Sequence, residues 1–232
     1  MTDPGSQAIT IDVISDVMCP WCYIGKRRFE KALALRPDIN VDVRWRPYQL
    51  DETIPKEGID RKEYLSTKFG GSERAAQIYQ AVSDAGDEEN IPFAFGDIKR
   101  SPNTLDAHRL IRWAQAPDLQ DEMVERLFSL YFLEGSDIGN SDVLLGAAKD
   151  VGLDLTIVTD LIETDADRDL VTKEVGLARE MGVNGVPCFI VANKYAVMGA
   201  EQPEVIVRAL DLALEDQKGG DNAGQSPETG GE

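Results

Sequence analysis

The sequence predicts an α/β fold in which a mixed sheet of β-α-β…β-β-α order is interrupted by a large all-helical insertion. A strand, a helix and a second strand come first, only helical patterns follow over residues 50–182, and two strands and a helix close the folded part. This order divides the sheet domain into residues 8–49 and 183–215, with the insertion between them. Residues 216–232 are acidic and poor in apolar side chains, so we expect a disordered tail there.

The first three elements form a β-α-β unit. The segment "AITIDVISD" becomes continuously apolar and predicts a buried strand. Apolar residues then recur at helical spacing from Cys22 to about Arg36, and Pro37 ends the run. "INVDVRWRPY" alternates strictly between apolar and polar residues, which indicates a second strand. Strands joined through a helix in this way are expected to lie parallel, with a right-handed crossover.

The remaining elements complete the predicted order. Apolar stripes at helical spacing run through the insertion, and several open with Ser, Asn or Asp as candidate N-caps and close near glycine. "PCFIVAN" and "YAVMGA" predict two strands joined by a short turn at Asn193 and Lys194. "PEVIVRALDLALED" predicts the closing helix, with Pro203 in its first turn.

Composition argues against several classes of function. The chain has 24 basic and 42 acidic residues, and its net charge of −18 repels nucleic acids and anionic membranes. No segment is apolar enough to span a bilayer, and the first residues lack the features of a signal peptide. We therefore expect a cytoplasmic protein without nucleic-acid or membrane partners. In that compartment three cysteines make a poor structural scaffold but can form a reactive site.

Two cysteines flank Pro20 and Trp21 at the predicted start of the first helix, in the stretch "CPWC". At a helix N-terminus, unpaired backbone N–H groups and the helix dipole favour the thiolate of Cys19, which we expect to be the exposed nucleophile. Cys22 lies one turn further and is expected to be more buried, as the resolving thiol. Pro20 preshapes the turn, and Trp21 shields one side of the pair. The basic run from Lys26 to Arg28 is expected to be mainly a solvated helix face.

The stretch "GVNGVPCFIV" supplies the second part of the candidate site. Because Pro187 has no ladder donor yet begins an apolar strand, we predict a cis peptide bond between Val186 and Pro187. We expect this loop beside the cysteines, where its backbone could hydrogen-bond an incoming peptide or glutathione. Cys188 is expected to be an apolar-sized strand residue that points away from Pro187, and a third redox thiol is the less favoured interpretation.

Several segments together resemble the DsbA-like branch of the thioredoxin superfamily, and more closely its FrnE-type proteins. These proteins are related to 2-hydroxychromene-2-carboxylate isomerases and kappa-class glutathione transferases. The segments are, in order, "SDVMCPWCYIGKRRFEKAL", "WRPYQL", "NTLDAHRLIRWA", "GVNGVPCFIV" and "MGAEQPEVIV". The resemblance covers residues 9–215 and is most specific in "CPWC" with the flanking "YIGK".

The resemblance implies a thioredoxin fold and a thiol–disulfide oxidoreductase. Its redox centre would be the Cys19–Cys22 disulfide, without another cofactor, and its substrates would be disulfide-containing proteins or small-thiol disulfides. Glutathione is a candidate co-substrate. The segment "NTLDAHR" suggests Asn103 and His108 as walls of the active cleft, with a structural, semi-buried histidine as the equal alternative for His108.

Other functions stay open. The isomerases and transferases typically carry serine where this chain has Cys19, so the resemblance favours redox chemistry over a glutathione-dependent isomerase or transferase. Cys19, Cys22, Cys188 and His108 would supply one Cys₃His set, but the usual second paired motif is absent. We therefore expect no metal and disfavour a metal-stabilised binding module. Asp16 either caps the loop before Cys19 or lies near the Cys19 sulfur, where its negative charge would raise the pKa of the thiol and lower its reactivity. The oligomeric state is open, with a homodimer among the options.

Overall fold

The computed structural model of the protein describes residues 8–223, and of residues 219–223 the backbone alone. Its first unit consists of β1 (Ile9–Ser15), α1 (Pro20–Leu35) and β2 (Val41–Pro47). The two strands are parallel, with Ile9 opposite Val41 and Ser15 opposite Pro47. The predicted β-α-β unit is therefore confirmed.

The insertion is helical apart from two short strands. Its elements are β3 (Ile59–Asp60), α2 (Arg61–Phe69), α3 (Ser72–Glu88), β4 (Arg100–Ser101), α4 (Leu105–Trp113), α5 (Gln120–Phe132), α6 (Ser141–Val151), α7 (Leu155–Ile162) and α8 (Arg168–Glu180). β3 and β4 pair antiparallel, so the expectation of an all-helical insertion needs this correction. Strands of two residues are too short to show an alternating pattern in the sequence.

The chain then returns to the main sheet with β5 (Cys188–Val191), β6 (Tyr195–Met198) and α9 (Pro203–Ala223). The strand order is β2-β1-β5-β6, and both β1–β5 and β5–β6 are antiparallel. The predicted mixed sheet and its terminal hairpin are confirmed. The hairpin turn differs in detail: Ala192 and Asn193 have positive φ angles of 52° and 55°, and Lys194 donates back to Val191, so the turn begins one residue earlier than predicted.

The closing helix is longer than the sequence indicates. α9 continues to Ala223, so the predicted start of the tail at Asp216 falls inside the helix. Lys194 Nζ and the Tyr195 hydroxyl donate to the Asp216 carboxylate at 2.6 and 2.7 Å, which ties this turn of α9 to the β5–β6 hairpin. Residues 224–232 of the predicted tail lie outside the described residues.

One apolar core joins the sheet to the insertion. On one side of β5, the Phe29 ring of α1 lies 5.3 Å from the Phe189 ring. Towards the insertion, Tyr23 of α1 stacks on Phe128 of α5 with ring centroids 4.9 Å apart. Because α1 contributes to both contacts, the insertion is held against the helix that carries the two cysteines. No helix between residues 8 and 223 has the length and hydropathy that a membrane crossing requires.

Candidate active site

Cys19 and Cys22 occupy the junction between β1 and α1. Cys19 is the N-cap residue of α1, with extended backbone angles (φ −92°, ψ 113°), and Pro20 follows in the first turn. No side chain caps this helix end, and its first turn holds no acidic residue. No side chain therefore competes with the Cys19 sulfur for the positive end of the helix dipole, although Pro20 has no N–H and the Cys22 N–H donates to the Cys19 carbonyl at 3.0 Å.

Both thiols are buried. Cys22 is 1% exposed, as the more buried of the two, but Cys19 is only 4% exposed, so the expectation of an openly exposed nucleophile is wrong. The Cys19 Sγ lies against the Val186 carbonyl, and of the two residues between the cysteines only Trp21, at 38%, is exposed. Trp21 is thus the residue of this turn that an incoming molecule meets first.

The surroundings of Cys22 keep its thiol protonated. Burial raises the pKa of Cys22 well above its ordinary value, and the hydrogen bond and charge interaction with Cys19 raise it further. The Ser15 hydroxyl and the backbone at Asp16 act in the opposite direction, because they stabilise the thiolate. Cys22 therefore sits as a protected thiol one helical turn behind Cys19.

The loop before β5 meets the cysteines as predicted. The Val186–Pro187 peptide bond is cis, and the Cys19 Sγ–H donates to the Val186 carbonyl at 3.7 Å. The Gly199 N–H donates to the Pro187 carbonyl at 2.7 Å and fixes the loop from the β6 side.

Gly25 of α1 lets the Pro187 loop approach the helix closely, and it is not among the site residues that the sequence predicts. A Cβ atom at Gly25 would lie 2.7 Å from Pro187 Cγ, which is closer than any real contact of that kind. A glycine inside a helical pattern usually has a packing reason, so the "YIGK" stretch did contain the signal.

Asp16 is a fully buried carboxylate that caps the loop before Cys19. Its Oδ1 accepts from the Met18 N–H at 3.4 Å, and its Oδ2 accepts from the Leu50 N–H at 2.8 Å. The Asp16 carbonyl also accepts from the Cys19 N–H at 2.9 Å. The loop-cap interpretation of Asp16 therefore agrees with its contacts, which join the cysteine turn to the chain that follows β2.

His108 and Asn103 hold that same stretch of chain. The His108 Nε2 donates to the Tyr48 carbonyl at 2.8 Å and lies 3.4 Å from the Asp16 carboxylate. The Asn103 side chain donates to the Ile54 carbonyl at 2.6 Å and accepts from the Gln49 amide at 3.2 Å. His108 is buried, so these contacts favour its structural interpretation, and a role in substrate binding stays a prediction for both residues.

A small cavity with both apolar and polar lining residues lies beside this network. Its volume is about 20 Å³, which matches one water molecule, and its lining includes Ser15, Trp45 and His108. Ser15 Oγ and Trp45 Nε1 are buried and lack a hydrogen-bond partner in the protein. Ser15 thus makes no hydrogen bond to the neutral Cys22 thiol, but its hydroxyl is near enough to stabilise the Cys22 sulfur once that sulfur is a thiolate. No sequence motif indicated Ser15.

The basic run after the cysteines is not a solvated face. Lys26 is 2% exposed and Arg28 is also buried, because α5 and the end of α3 pack on α1. Two of the basic residues pair with carboxylates of α5: Lys26 with Asp121 at 3.0 Å, and Arg27 with Glu125. Lys26 also pairs with Glu30 of α1. Arg28 pairs with Glu89, which follows α3, at 2.8 Å. Their positive charge is thus compensated locally and adds little to the field at Cys19.

Cys188 is separate from the redox pair. It is buried among Ile14, Tyr48, Ala178 and Val183, and burial raises the pKa of its thiol to about 11. This agrees with the expected apolar-sized strand residue. Across residues 8–218, whose side chains the structure describes, His, Cys, Asp and Glu form no group of three suited to a metal ion, so these cysteines and His108 do not form the alternative Cys₃His set.

The chain is similar to proteins of one family. A model described as a DSBA-like thioredoxin domain matches residues 10–211. The uncharacterised protein YwbO of Bacillus subtilis is 28% identical over 203 residues, which cover 87% of this chain and 96% of YwbO. The crystal structure of a probable DsbA oxidoreductase from Streptomyces coelicolor is 27% identical, with a TM-score of 0.81 over 94% of this chain and 92% of that chain.

A more distant likeness concerns the fold alone. A 2-hydroxychromene-2-carboxylate isomerase structure is 13% identical, with a TM-score of 0.66, and the match covers 94% of this chain and all of that one (100%).

Proposed function

The chain belongs to the family of DSBA-like thioredoxin domains, and on that premise we propose that it is a thiol–disulfide oxidoreductase with Cys19 and Cys22 as its redox pair. One observation carries the proposal. Cys19 is the N-cap residue of α1, its sulfur lies 3.7 Å from the Val186 carbonyl in the loop with the cis-proline, and Cys22 lies one turn behind. A nucleophile, a resolving thiol and a backbone surface for substrate are thereby adjacent.

The proposed reaction follows from these positions. The Cys19 thiolate attacks one sulfur of a substrate disulfide, and the other sulfur leaves as a thiolate that takes a proton from solvent. Cys22 then loses its proton and attacks the Cys19 sulfur, so the second substrate thiol leaves and the Cys19–Cys22 disulfide forms. In the reverse direction the same steps oxidise a substrate. The backbone of Val186 and Pro187 would hold the substrate chain beside Cys19.

The burial of Cys19 favours narrow substrates. A thiol that is 4% exposed is reached more readily by an extended peptide or by a small-thiol disulfide, glutathione included, than by a disulfide inside a folded domain. We place the reaction in the cytoplasm and assign it no cofactor beyond the cysteine pair.

The second candidate is a glutathione-dependent isomerase or transferase. The fold likeness to 2-hydroxychromene-2-carboxylate isomerase and the enclosed position of Cys19 are compatible with it. In that reaction Cys19 would hold or activate glutathione without net redox change, and Cys22 would have no chemical role.

Variants of the three cysteines test the proposal. We expect Cys19→Ser to abolish reduction of a fluorescent peptide disulfide, and Cys22→Ser to stop turnover and accumulate a mixed disulfide at Cys19, detected by mass spectrometry. Cys188→Ala is the matched control, because it removes the third buried thiol and should retain activity. Full turnover of the peptide disulfide by Cys22→Ser would overturn the assignment of Cys22 as the resolving thiol, and no disulfide turnover by the wild type would overturn the redox proposal and favour the isomerase or transferase.

A further inference from the structure

Arg61, the first residue of α2, is a buried cation without a carboxylate partner among the described residues. Within residues 8–218, four lysine and arginine side chains are less than a tenth exposed: Lys26, Arg28, Arg61 and Arg109. Three of them pair with acids: Lys26 with Asp121, Arg28 with Glu89 and Arg109 with Asp106. Arg61, at 8% exposed, has no carboxylate of this described part within ion-pair distance, although the chain carries a net charge of −18.

The contacts of Arg61 are all with neutral groups. Its Nη1 donates to the Phe95 carbonyl at 3.3 Å, and its Cζ lies 4.7 Å from the Tyr79 ring centroid and 5.5 Å from that of Phe95. Burial raises the pKa of the Tyr79 and Tyr131 hydroxyls, and the nearby guanidinium partly opposes this for both. Nη2 is buried and has no hydrogen-bond partner. Since buried charges in proteins are normally paired, this guanidinium lacks a counter-charge.

Arg61 also lines a pocket of about 460 Å³ between α2, α3 and the loop before β4, a volume suited to a small ligand. The inner wall is apolar and aromatic around the guanidinium, and consists of Arg61, Leu65, Ala75, Tyr79, Phe95 and Ile98. Two further cations, Lys62 and Lys99, stand at the exposed rim. The only rim carboxylate belongs to Asp60, which already accepts the Glu63 N–H as the cap of α2.

We propose that this pocket binds a carboxylic acid with an apolar chain or ring. The carboxylate supplies the counter-charge that Arg61 lacks, and a planar guanidinium matches a carboxylate better than any other basic side chain. The apolar part of the ligand packs on Leu65, Ala75 and the two rings, while Lys62 and Lys99 attract the anion to a mouth on an otherwise acidic protein. Nothing in this assignment depends on the cysteine chemistry.

Binding of simple acids to the full chain tests the proposal. The probes are decanoate, for a lipid-derived source, and 3-phenylpropanoate, for an aromatic acid, each titrated in a calorimeter below its aggregation threshold. Decan-1-ol and decyltrimethylammonium carry the same chain without the negative charge. We expect saturable binding of at least one acid, weakened at high salt, and no comparable binding of the alcohol or the cation.

Variants separate the guanidinium from the rest of the pocket. Arg61→Gln should weaken acid binding about tenfold or more, as the loss of a charge-assisted hydrogen bond implies, and Arg61→Lys should weaken it less. The control is Arg208→Gln, which removes one positive charge from an exposed position of α9 and should leave acid binding unchanged. Should Arg61→Gln fail to fold, Ala76→Trp narrows the mouth from the rim and should also prevent binding.

Three results would overturn the assignment. They are no binding of either acid to the wild type, equal binding by folded Arg61→Gln, and equal binding of decan-1-ol and decanoate. Because every readout is a binding isotherm, these results are independent of whether the protein exchanges disulfides.

Discussion

A missing methyl group lets α1 meet the loop that carries Pro187. Glycine is the only residue type at position 25 that allows the proline ring to approach the helix so closely, because any Cβ there would overlap Pro187 Cγ. The position of the Val186 carbonyl relative to the Cys19 sulfur therefore depends on a residue that performs no chemistry itself.

We predict that Gly25→Ala displaces the Pro187 loop and lowers kcat/KM for disulfide exchange about tenfold, since small misplacements of a site cost that much or more. Overpacking should also lower the free energy of unfolding by about 1–3 kcal/mol, less the gain in helix propensity. The matched control is Gly146→Ala in α6, where a new Cβ meets open space, and it should raise the free energy of unfolding slightly. Urea unfolding and steady-state kinetics measure both, and identical behaviour of the two variants would contradict the prediction.

Ser15 acts on Cys22 through its hydroxyl. With Cys19→Ser and Cys188→Ala leaving one thiol, we predict that Ser15→Ala raises the pKa of Cys22 further, because the thiolate loses a hydrogen-bond donor. The pH dependence of alkylation measures this shift. Ser101→Ala, another buried serine, is the control and should leave the profile in place. An unchanged profile in Ser15→Ala would show that the hydroxyl does not reach the sulfur.

Among the elements, α1 has two roles, since it presents the cysteines and is the helix to which the insertion is fastened. Lys26 and Arg27 bind carboxylates of α5, and Arg28 binds Glu89 just beyond α3. These pairs lie on both sides of the helix within two turns of the cysteines. The insertion thus constrains the same turn that must admit substrate.

The Arg28–Glu89 pair makes the fold acid-sensitive. Burial opposes ionisation of Glu89, but Lys31 and Arg28 more than offset it and lower the pKa of Glu89 below its ordinary value. A lowered folded pKa gives stability that is present above the unfolded value of about 4.3 and is lost as the pH falls through the folded pKa. We predict that Glu89→Gln reduces this acid loss and costs about 1–3 kcal/mol at pH 7, because the buried Arg28 loses its buried carboxylate partner and keeps only the exposed Glu88 at 3.6 Å and the Ala200 carbonyl at 2.6 Å.

Urea unfolding between pH 3 and pH 7 measures both effects. Glu201→Gln, an exposed acid outside the ion pairs, is the control and should follow the wild-type curve. If Glu89→Gln matched the wild type at neutral pH, the pair would contribute no net stability.

Elements with a repeating pattern could be predicted, and those set by distant partners could not. The strict alternation before Pro47 and the short gap near Asn193 predicted β2 and the hairpin, because sheet periodicity and turn residues are local. The burial of Lys26 and Arg28 depends on the carboxylates of Asp121 and Glu89, which lie 95 and 61 positions away, so the local sequence pattern indicated only an exposed charged face. The enclosure of Cys19 was missed for the same reason.

At the scale of the whole molecule, the main core links the sheet to the insertion and contains Cys22, while Cys188 lies in a second, smaller apolar cluster, and both thiols resist ionisation. Burial raises the pKa of Cys22 and of Cys188, to about 11 in the latter. The unfolded chain loses these protons near pH 8.5, while the folded chain retains them, so stability falls as the pH rises above that value.

We predict that the reduced protein loses up to about 1.4 kcal/mol of stability per pH unit for each of these thiols between pH 8.5 and pH 9.5. In the oxidised protein Cys22 no longer titrates, so only the Cys188 contribution should remain. The oxidised Cys188→Ala variant should show neither the Cys22 nor the Cys188 contribution to this pH dependence. Urea unfolding across this range measures the three slopes, and equal slopes in all three proteins would refute the assignment.

The site also joins two segments that lie far apart along the chain. Cys19 and Val186 are 167 positions apart, so the ribosome releases the cysteines long before it releases the loop that covers them. Closing so long a loop carries an entropic penalty, which the earlier folding of the insertion reduces by shortening the free chain between the two halves. Until that closure, the nascent polypeptide carries an uncovered dithiol. Its cysteines are then open to glutathionylation or to disulfide formation with other incompletely folded chains. A reducing environment during synthesis would keep the two thiols reduced until folding covers them.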